Sequence, residues 1–333
     1  MNGILEFIGG VAFFLFGMTV MSRSLQAFAG EGLSGTLARL CRTPLRGVAI
    51  GTLVTAAIQS SSATTVMVVG LVNAGVMTLH QAVGVIMGAN LGTTLTAWLL
   101  SLSALGGAGG ILALFRTETL APLLALAGVF LMMAARSEGK RQLGSGLAGL
   151  GVLFAGMEAM TMAVAPLADN PQFAELLTFF GNPLAGVLAG AVMTAVLQSS
   201  SAAVGILQSF AATGVIGLGL AVPVIMGQNI GTCVTALLSS VGTEPNARRA
   251  ALIHLYFNLA GTAVLLPIFY ILYRLGVIPP LPLGEGGIAL VHTAFNLLST
   301  ALLLPLSGGL LSLATRSVPE GKSKRRLLRN RER

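Results

Sequence analysis

Long apolar runs broken by short polar segments dominate this chain. Seven of them, Ile4–Met21, Ala82–Leu100, Thr119–Ala135, Gly146–Val164, Leu220–Val241, Ala250–Tyr273 and Ile288–Leu313, are each long enough, or nearly so, to cross a hydrocarbon core of about 30 Å as a helix. The pattern predicts seven membrane crossings. A shorter run, Gly47–Ile58, makes a helix of only about 18 Å and reaches mid-membrane. With Gln59–Ser62 as a tip and Ala63–Asn73 returning, it reads as a re-entrant hairpin without a net crossing.

Composition agrees with a lipid-embedded chain. Charged residues make up 9% of 333 positions and hydrophobic ones 54%, against about 25% and 45–50% in soluble domains. The net charge of +8 comes from basic residues confined to a few loops and the C-terminal tail. Such a distribution fits a membrane surface and gives no reason to expect nucleic acid. Two cysteines, Cys41 and Cys233, imply no disulfide framework. The N-terminal run carries Glu6 and no basic residue, unlike a signal peptide. It also recurs: Gly10, Gly17, Met18 and Met21 reappear 139 positions later as Gly149, Gly156, Met157 and Met160.

The same offset of 139 runs without a gap through Pro44–Ser101 and Pro183–Ser240, with 28 identities in 58 positions. The strings TAAIQSSSA (Thr55–Ala63) and TAVLQSSSA (Thr194–Ala202) are paired, as are VIMGANLGTT (Val85–Thr94) and VIMGQNIGTC (Val224–Cys233). Each polar string lies within a strongly apolar stretch, where its side chains must find partners without water. An isolated serine in a membrane helix usually bonds the carbonyl four residues back. Four adjacent polar residues, duplicated, point to a function.

With the hairpin making no net crossing, the first copy crosses three times, and an odd count inverts the second. Loop charge tests the count, because cytoplasmic loops collect Lys and Arg. An outside N-terminus places 17 of the 19 basic residues inside, leaving Arg116 and Arg274 outside with Glu118, Asp169, Glu175 and Glu285. The fold expected is an all-α polytopic membrane protein of two inverted-topology repeats, each with a re-entrant helical hairpin and a broken transmembrane helix. Its divisions are residues 1–139 and 140–278 for the repeats, 279–315 for an additional C-terminal helix, and 316–333 for a basic cytoplasmic tail. The location expected is the bacterial inner membrane, N-terminus outside and C-terminus inside.

Two hairpin tips of opposite entry form the kind of midplane site that inverted-repeat transporters use. In each tip the serines sit where a new helix starts, so hydroxyls cap it and free backbone N–H groups attract an anion. Ser60, Ser61, Ser62, Ser199, Ser200 and Ser201 are thus the candidates for holding a tetrahedral oxyanion. No Arg or Lys lies in either tip. Co-bound cations would offset the anion's charge, and Gln59, Gln198, Asn90, Asn229, Thr93 and Thr232 offer the neutral oxygens sodium takes. Gly92 and Gly231 are expected to let the helix unwind and free carbonyls there.

Paired QSSS tips, each followed by an MGxNxGT string, resemble the type II sodium-dependent phosphate cotransporter family in a bacterial member. The similarity covers about Pro44–Ser101 and Pro183–Leu306, and ARRAALIHLYFNLAG (Ala247–Gly261) resembles a further family segment. It implies sodium-coupled phosphate transport, with phosphate and sodium at the two tips and Thr64, Asn90, Thr93, Asn229 and Thr232 as neighbours. Sodium is then a co-transported ion, no organic cofactor is implied, and a homodimer stays open. Electrogenic animal members carry HDxFN after their first MGxN string. The positions 139 before His254–Asn258 read Phe115-Arg116-Thr117-Glu118-Thr119 instead.

Other readings compete. The carrier could take another small oxyanion or couple to protons, and His254, His292 and Glu158 are the residues a proton path would use. His254, Phe257 and Asn258 recur 38 positions on as His292, Phe295 and Asn296, with a proline after each, Pro267 and Pro305. Bridging helices is the commoner role for such residues. An intramembrane serine hydrolase would need a tip serine beside His80, His254 or His292, yet no Gly-x-Ser-x-Gly elbow occurs and no histidine is duplicated at the repeat offset. A channel would pass ions without coupling.

Overall fold

A computed structural model describes residues 2–29, 41, 43–102, 117–167, 170, 172 and 182–319. Arg39, Arg42, Arg116, Asp169, Glu175 and most of the basic tail, which carry part of the charge argument, lie outside the described residues. Among those described, the chain forms twelve α-helices and no strand. Six helices are long and apolar enough to cross a membrane. The run at Thr119 falls in a shorter helix, α5 (Thr117–Ala134). Its apolar part, 17 residues, spans about 26 Å at 1.5 Å per residue, the lower limit for a crossing. Exposed side chains such as Phe13, Phe16, Phe130, Met133, Leu184 and Val196 form an outer surface that suits lipid.

α1 (Asn2–Ala29) lies antiparallel against α6 (Glu138–Val164), itself backed by α5. Glycines at the recurrent positions set this contact. A Cβ on Gly10 would meet the Met160 nitrogen at 2.8 Å, and one on Gly149 the Met21 nitrogen at 2.7 Å. Gly10 faces Gly156 while Gly17 faces Gly149. Between lipid-embedded helices such close backbone approach replaces the hydrophobic drive that water would supply. Phe14, Leu153, Phe154 and Met160 fill the space around it.

Both hairpins are present. α2 (Pro44–Ile58) starts three residues before the expected Gly47, at a proline, which suits a first-turn position with no N–H to satisfy. It is capped by Thr43, whose hydroxyl accepts from Arg46 N at 3.3 Å. α3 (Ser61–Asn73) returns beside it. In the second copy α7 (Pro183–Leu197), capped by Asn182, and α8 (Ser200–Ala212) do the same. The expected four-residue tip is tighter: Ser61, Ser62, Ser200 and Ser201 are already helical.

Long helices α4 (Leu79–Leu100) and α9 (Leu218–Ser239) carry the MGxNxGT strings and run unbroken. This corrects the expectation of a break at Gly92 and Gly231. Packing uses those glycines: a Cβ on Gly92 would lie 2.7 Å from Thr52 O and 2.7 Å from Thr55 Cβ, and one on Gly231 would lie 2.8 Å from Thr194 Cβ. The hairpin arms α2 and α7 therefore press directly on α4 and α9. α3 packs on α9 and α8 on α4, so each returning helix leans on the long helix of the other copy.

α10 (Pro245–Arg274) and α11 (Glu285–Leu303) complete the body, with Gly261 against Ser299 at their contact. The run Ile288–Leu313 is two helices, because Pro305 ends α11 before α12 (Ser307–Ser317). Cys41 and Cys233 are both buried.

Candidate functional site

Each tip is made by one glutamine in a left-handed conformation. Gln59 (φ 54, ψ 30) ends α2, and Gln198 (φ 53, ψ 24) ends α7. They are the only non-glycine residues with positive φ among the described residues. Such a residue costs about 1–3 kcal/mol and persists where surrounding structure demands it. Reversal at the glutamine lets the next residue cap a new helix. Ser60 Oγ accepts from Ala63 N at 3.1 Å, and Ser199 Oγ from Ala202 N at 3.2 Å. Ser61, Ser200 and Ser201 in the first turns are buried, so amides and hydroxyls of both starts stand in a low-dielectric interior. There an anion gains most from the partial positive charge of a helix start.

Polar contacts close the first tip on itself and leave the second unclosed. Thr55 Oγ1 donates to Thr64 Oγ1 at 2.8 Å, and Thr64 Oγ1 to Ser60 O at 3.0 Å. Gln59 donates to Ala56 O at 2.6 Å and accepts from Thr96 Oγ1 at 2.9 Å. At the equivalent places in the second copy, Thr194 Oγ1 and Thr235 Oγ1 are buried without a partner. For Thr194 the cause is the loss of its partner's hydroxyl, with a second exchange close by. Ala203 stands where the first copy has Thr64, and Gln228 where it has Ala89. Gln228 reaches across to donate to Ala203 O at 3.0 Å, leaving its Oε1 buried and unpartnered. Buried oxygens of this kind are groups that a water, an ion or a ligand would satisfy. Thr96 and Thr235 escaped the reading of the sequence, although both lie at the repeat offset.

Thr93 Oγ1 donates to Ala89 O at 3.1 Å and Thr232 Oγ1 to Gln228 O at 2.9 Å, which leaves their lone pairs available. Among the described residues no hydrogen bond joins one tip to the other. No three His, Cys, Asp or Glu side chains there gather as metal ligands. A cation at these tips would rest on neutral oxygens.

Asn90 and Asn229 have partners that the sequence did not reveal. Asn90 Nδ2 donates to Asn258 Oδ1 at 2.8 Å, and Asn90 Oδ1 lies 3.0 Å from His254 Nε2. Asn229 repeats this with Asn296 Oδ1 at 2.8 Å and His292 Nε2 at 3.1 Å. The string at His254 on α10 thus serves the first long helix, and the string at His292 on α11 serves the second. Only the spacing of 38 hinted at this. The string that meets Asn90 reads His254-Leu255-Tyr256-Phe257-Asn258, while Phe115 and Arg116 lie outside the described residues. No histidine bonds a tip serine among the described residues. His80 is exposed at the start of α4, and Glu158 is half-buried on α6.

Comparison with known proteins fits this arrangement. A family model described as Na+/Pi-cotransporter matches twice, over residues 13–162 and 163–280. The chain is 31% identical over 265 residues to the uncharacterized protein YqeW of Bacillus subtilis, covering 79% of this chain and 82% of that one. It is 29% identical over 270 residues to the putative inorganic phosphate export protein YjbB of Escherichia coli, covering 81% and 47%. It is 35% identical over 116 residues to human sodium-dependent phosphate transport protein 2B, covering 33% and 17%. The chain thus spans about half the length of the export protein. No solved structure matches.

Proposed function

Because this chain belongs to the Na+/Pi-cotransporter family, a family of transporters and not of enzymes, we propose that it couples phosphate movement to sodium, with the anion held between two serine-capped helix starts. The observation that carries the reading is the duplicated tip: a left-handed glutamine followed by an N-capping serine, at positions 139 apart. Ser60, Ser61, Ser62, Thr64, Ser199, Ser200 and Ser201 serve phosphate. Gln59, Asn90, Thr93, Gln198, Asn229 and Thr232 serve sodium.

Inverted repeats are part of the same proposal. Gly10 with Gly156 and Gly17 with Gly149 are reciprocal contacts across antiparallel helices. A two-fold axis perpendicular to the helices generates that pattern, and for membrane helices such an axis lies in the bilayer plane. Residues 1–139 and 140–278 are then the two halves, with the N-terminus outside and the C-terminus in the cytoplasm. Labelling tests the orientation. In a Cys41→Ser, Cys233→Ala background, a cysteine replacing Gln172 should react with an impermeant maleimide in intact cells. One replacing Gln142 should react only after permeabilisation. Equal labelling from outside rejects the topology.

Coupling is expected to be electroneutral. Neither tip nor either MGxNxGT string holds Asp or Glu, and the string meeting Asn90 has Leu255 where HDxFN has Asp. A divalent phosphate with two sodium ions is neutral, and a neutral complex is the cheaper state to occlude in lipid. Radiolabelled phosphate uptake into proteoliposomes should require sodium. Its accumulation ratio should not change between about 0 and −100 mV, although one net charge would add about 2.3 kcal/mol of driving force. A voltage-dependent ratio contradicts neutrality, and sodium-independent uptake contradicts the coupling itself.

A further inference from the structure

The two histidine–asparagine ladders have a direction that can be derived from one backbone atom. Asn258 Nδ2 donates to His254 O at 3.0 Å, and a carbonyl oxygen can only accept. That contact fixes the Asn258 amide with its Oδ1 toward Asn90. Asn90 must then present Nδ2 to it, and its own Oδ1 must face His254. The imidazole can complete the chain only by bringing a proton on Nε2. The second ladder follows identically from Asn296 Nδ2 donating to His292 O at 2.8 Å. In keeping with this tautomer, Nδ1 of both histidines is buried with no hydrogen-bond partner. All six side chains are almost wholly buried, at 5% exposure or less.

We infer that His254 and His292 are positioning residues, each locking the amide of Asn90 or Asn229 so that its oxygen keeps one free lone pair in a fixed direction for a sodium ion. This rests on the proposed role of those asparagines. The imidazole N–H occupies one lone pair of Oδ1 and Asn258 or Asn296 occupies Nδ2, so the amide cannot flip. Without the imidazole only the Nδ2 side of the amide is held, by Asn258 or Asn296, and the oxygen loses the donor that fixes its direction.

Phosphate uptake into proteoliposomes, followed against sodium concentration, tests the role. His254→Leu should raise the half-saturating sodium concentration by about three- to ten-fold, the effect of losing one neutral hydrogen bond that positions the amide. The phosphate KM at saturating sodium should stay unchanged. His254→Gln, whose Nε2 can still donate to Asn90, should stay within about three-fold of the parent. The same pair of changes at His292 should behave alike. 15N NMR of histidine-labelled protein supplies a readout independent of transport. Both histidines should show protonated Nε2 and bare Nδ1, and Asn90→Leu should move the His254 Nε2 signal alone. A protonated Nδ1, an unmoved sodium dependence in His254→Leu, or equal shifts in the Leu and Gln variants would overturn the inference. Uptake indifferent to sodium in the parent, with the tautomers as derived, would instead overturn the coupling proposed above, so the two failures are told apart. If His254→Leu fails to insert, the Gln variant and the tautomer still decide.

Discussion

Phosphate affinity should fall by about ten-fold or more in Ser61→Ala and again in Ser200→Ala, the range set by losing one hydrogen bond to a charged group, about 1.5–3 kcal/mol. Both serines open their helices and are buried, at 4% and 5% exposure, so no water replaces the lost hydroxyl. Combining the two should cost more than either alone, and a shared anion makes departure from additivity informative. The neighbouring caps behave differently. Ser60→Ala and Ser199→Ala remove a bond to the helix's own amide, so they should lower thermal stability by about 1 kcal/mol as well as disturb the tip. Phosphate KM from proteoliposome uptake and melting in detergent separate the two classes. Unchanged affinity in both Ser61→Ala and Ser200→Ala would exclude the tips as the anion site.

Gly88→Ala and Gly227→Ala are expected to be among the most damaging small changes available. A Cβ at Gly88 would overlap the Val48 carbonyl oxygen, and one at Gly227 that of Val187. Backbone cannot step aside as a flexible side chain can, so overpacking should destabilise by about 1–3 kcal/mol and displace the hairpin arm bearing the tip. Gly70→Ala is the internal control. It meets nothing within 4 Å on the exposed side of α3, and alanine should raise stability by about 0.5–1 kcal/mol there. Melting temperatures of the three variants check the contrast. If Gly88→Ala and Gly70→Ala melt alike, the close approach of α2 to α4 is not what holds the hairpin.

Local chemistry that repeats along the chain was readable in advance. The hairpins could be placed because QSSS sits at the end of an apolar run too short to cross, and serine caps the helix that follows. Glycine was ambiguous. Gly92 within an apolar helix is compatible with unwinding or with close packing, and only the position of Thr52 and Thr55 on a neighbouring helix decides for packing. The asparagine ladders were hidden for a different reason. Asn90 and Asn258 are 168 residues apart, and their helices are not related by the offset of 139 that organises the rest. The inequality of the tips was visible as Thr64 against Ala203 and Ala89 against Gln228, but a pair of exchanges acquires meaning only once Gln228 is seen to reach Ala203.

Those ladders also constrain how the protein is made. Asn90 leaves the ribosome long before His254, 164 residues later, a delay of roughly ten to thirty seconds at 5–20 residues per second. During that interval the first long helix holds a buried amide with no mate. Assembly around Asn90 therefore waits on α10, and a ribosome that stops before it leaves that amide unpaired.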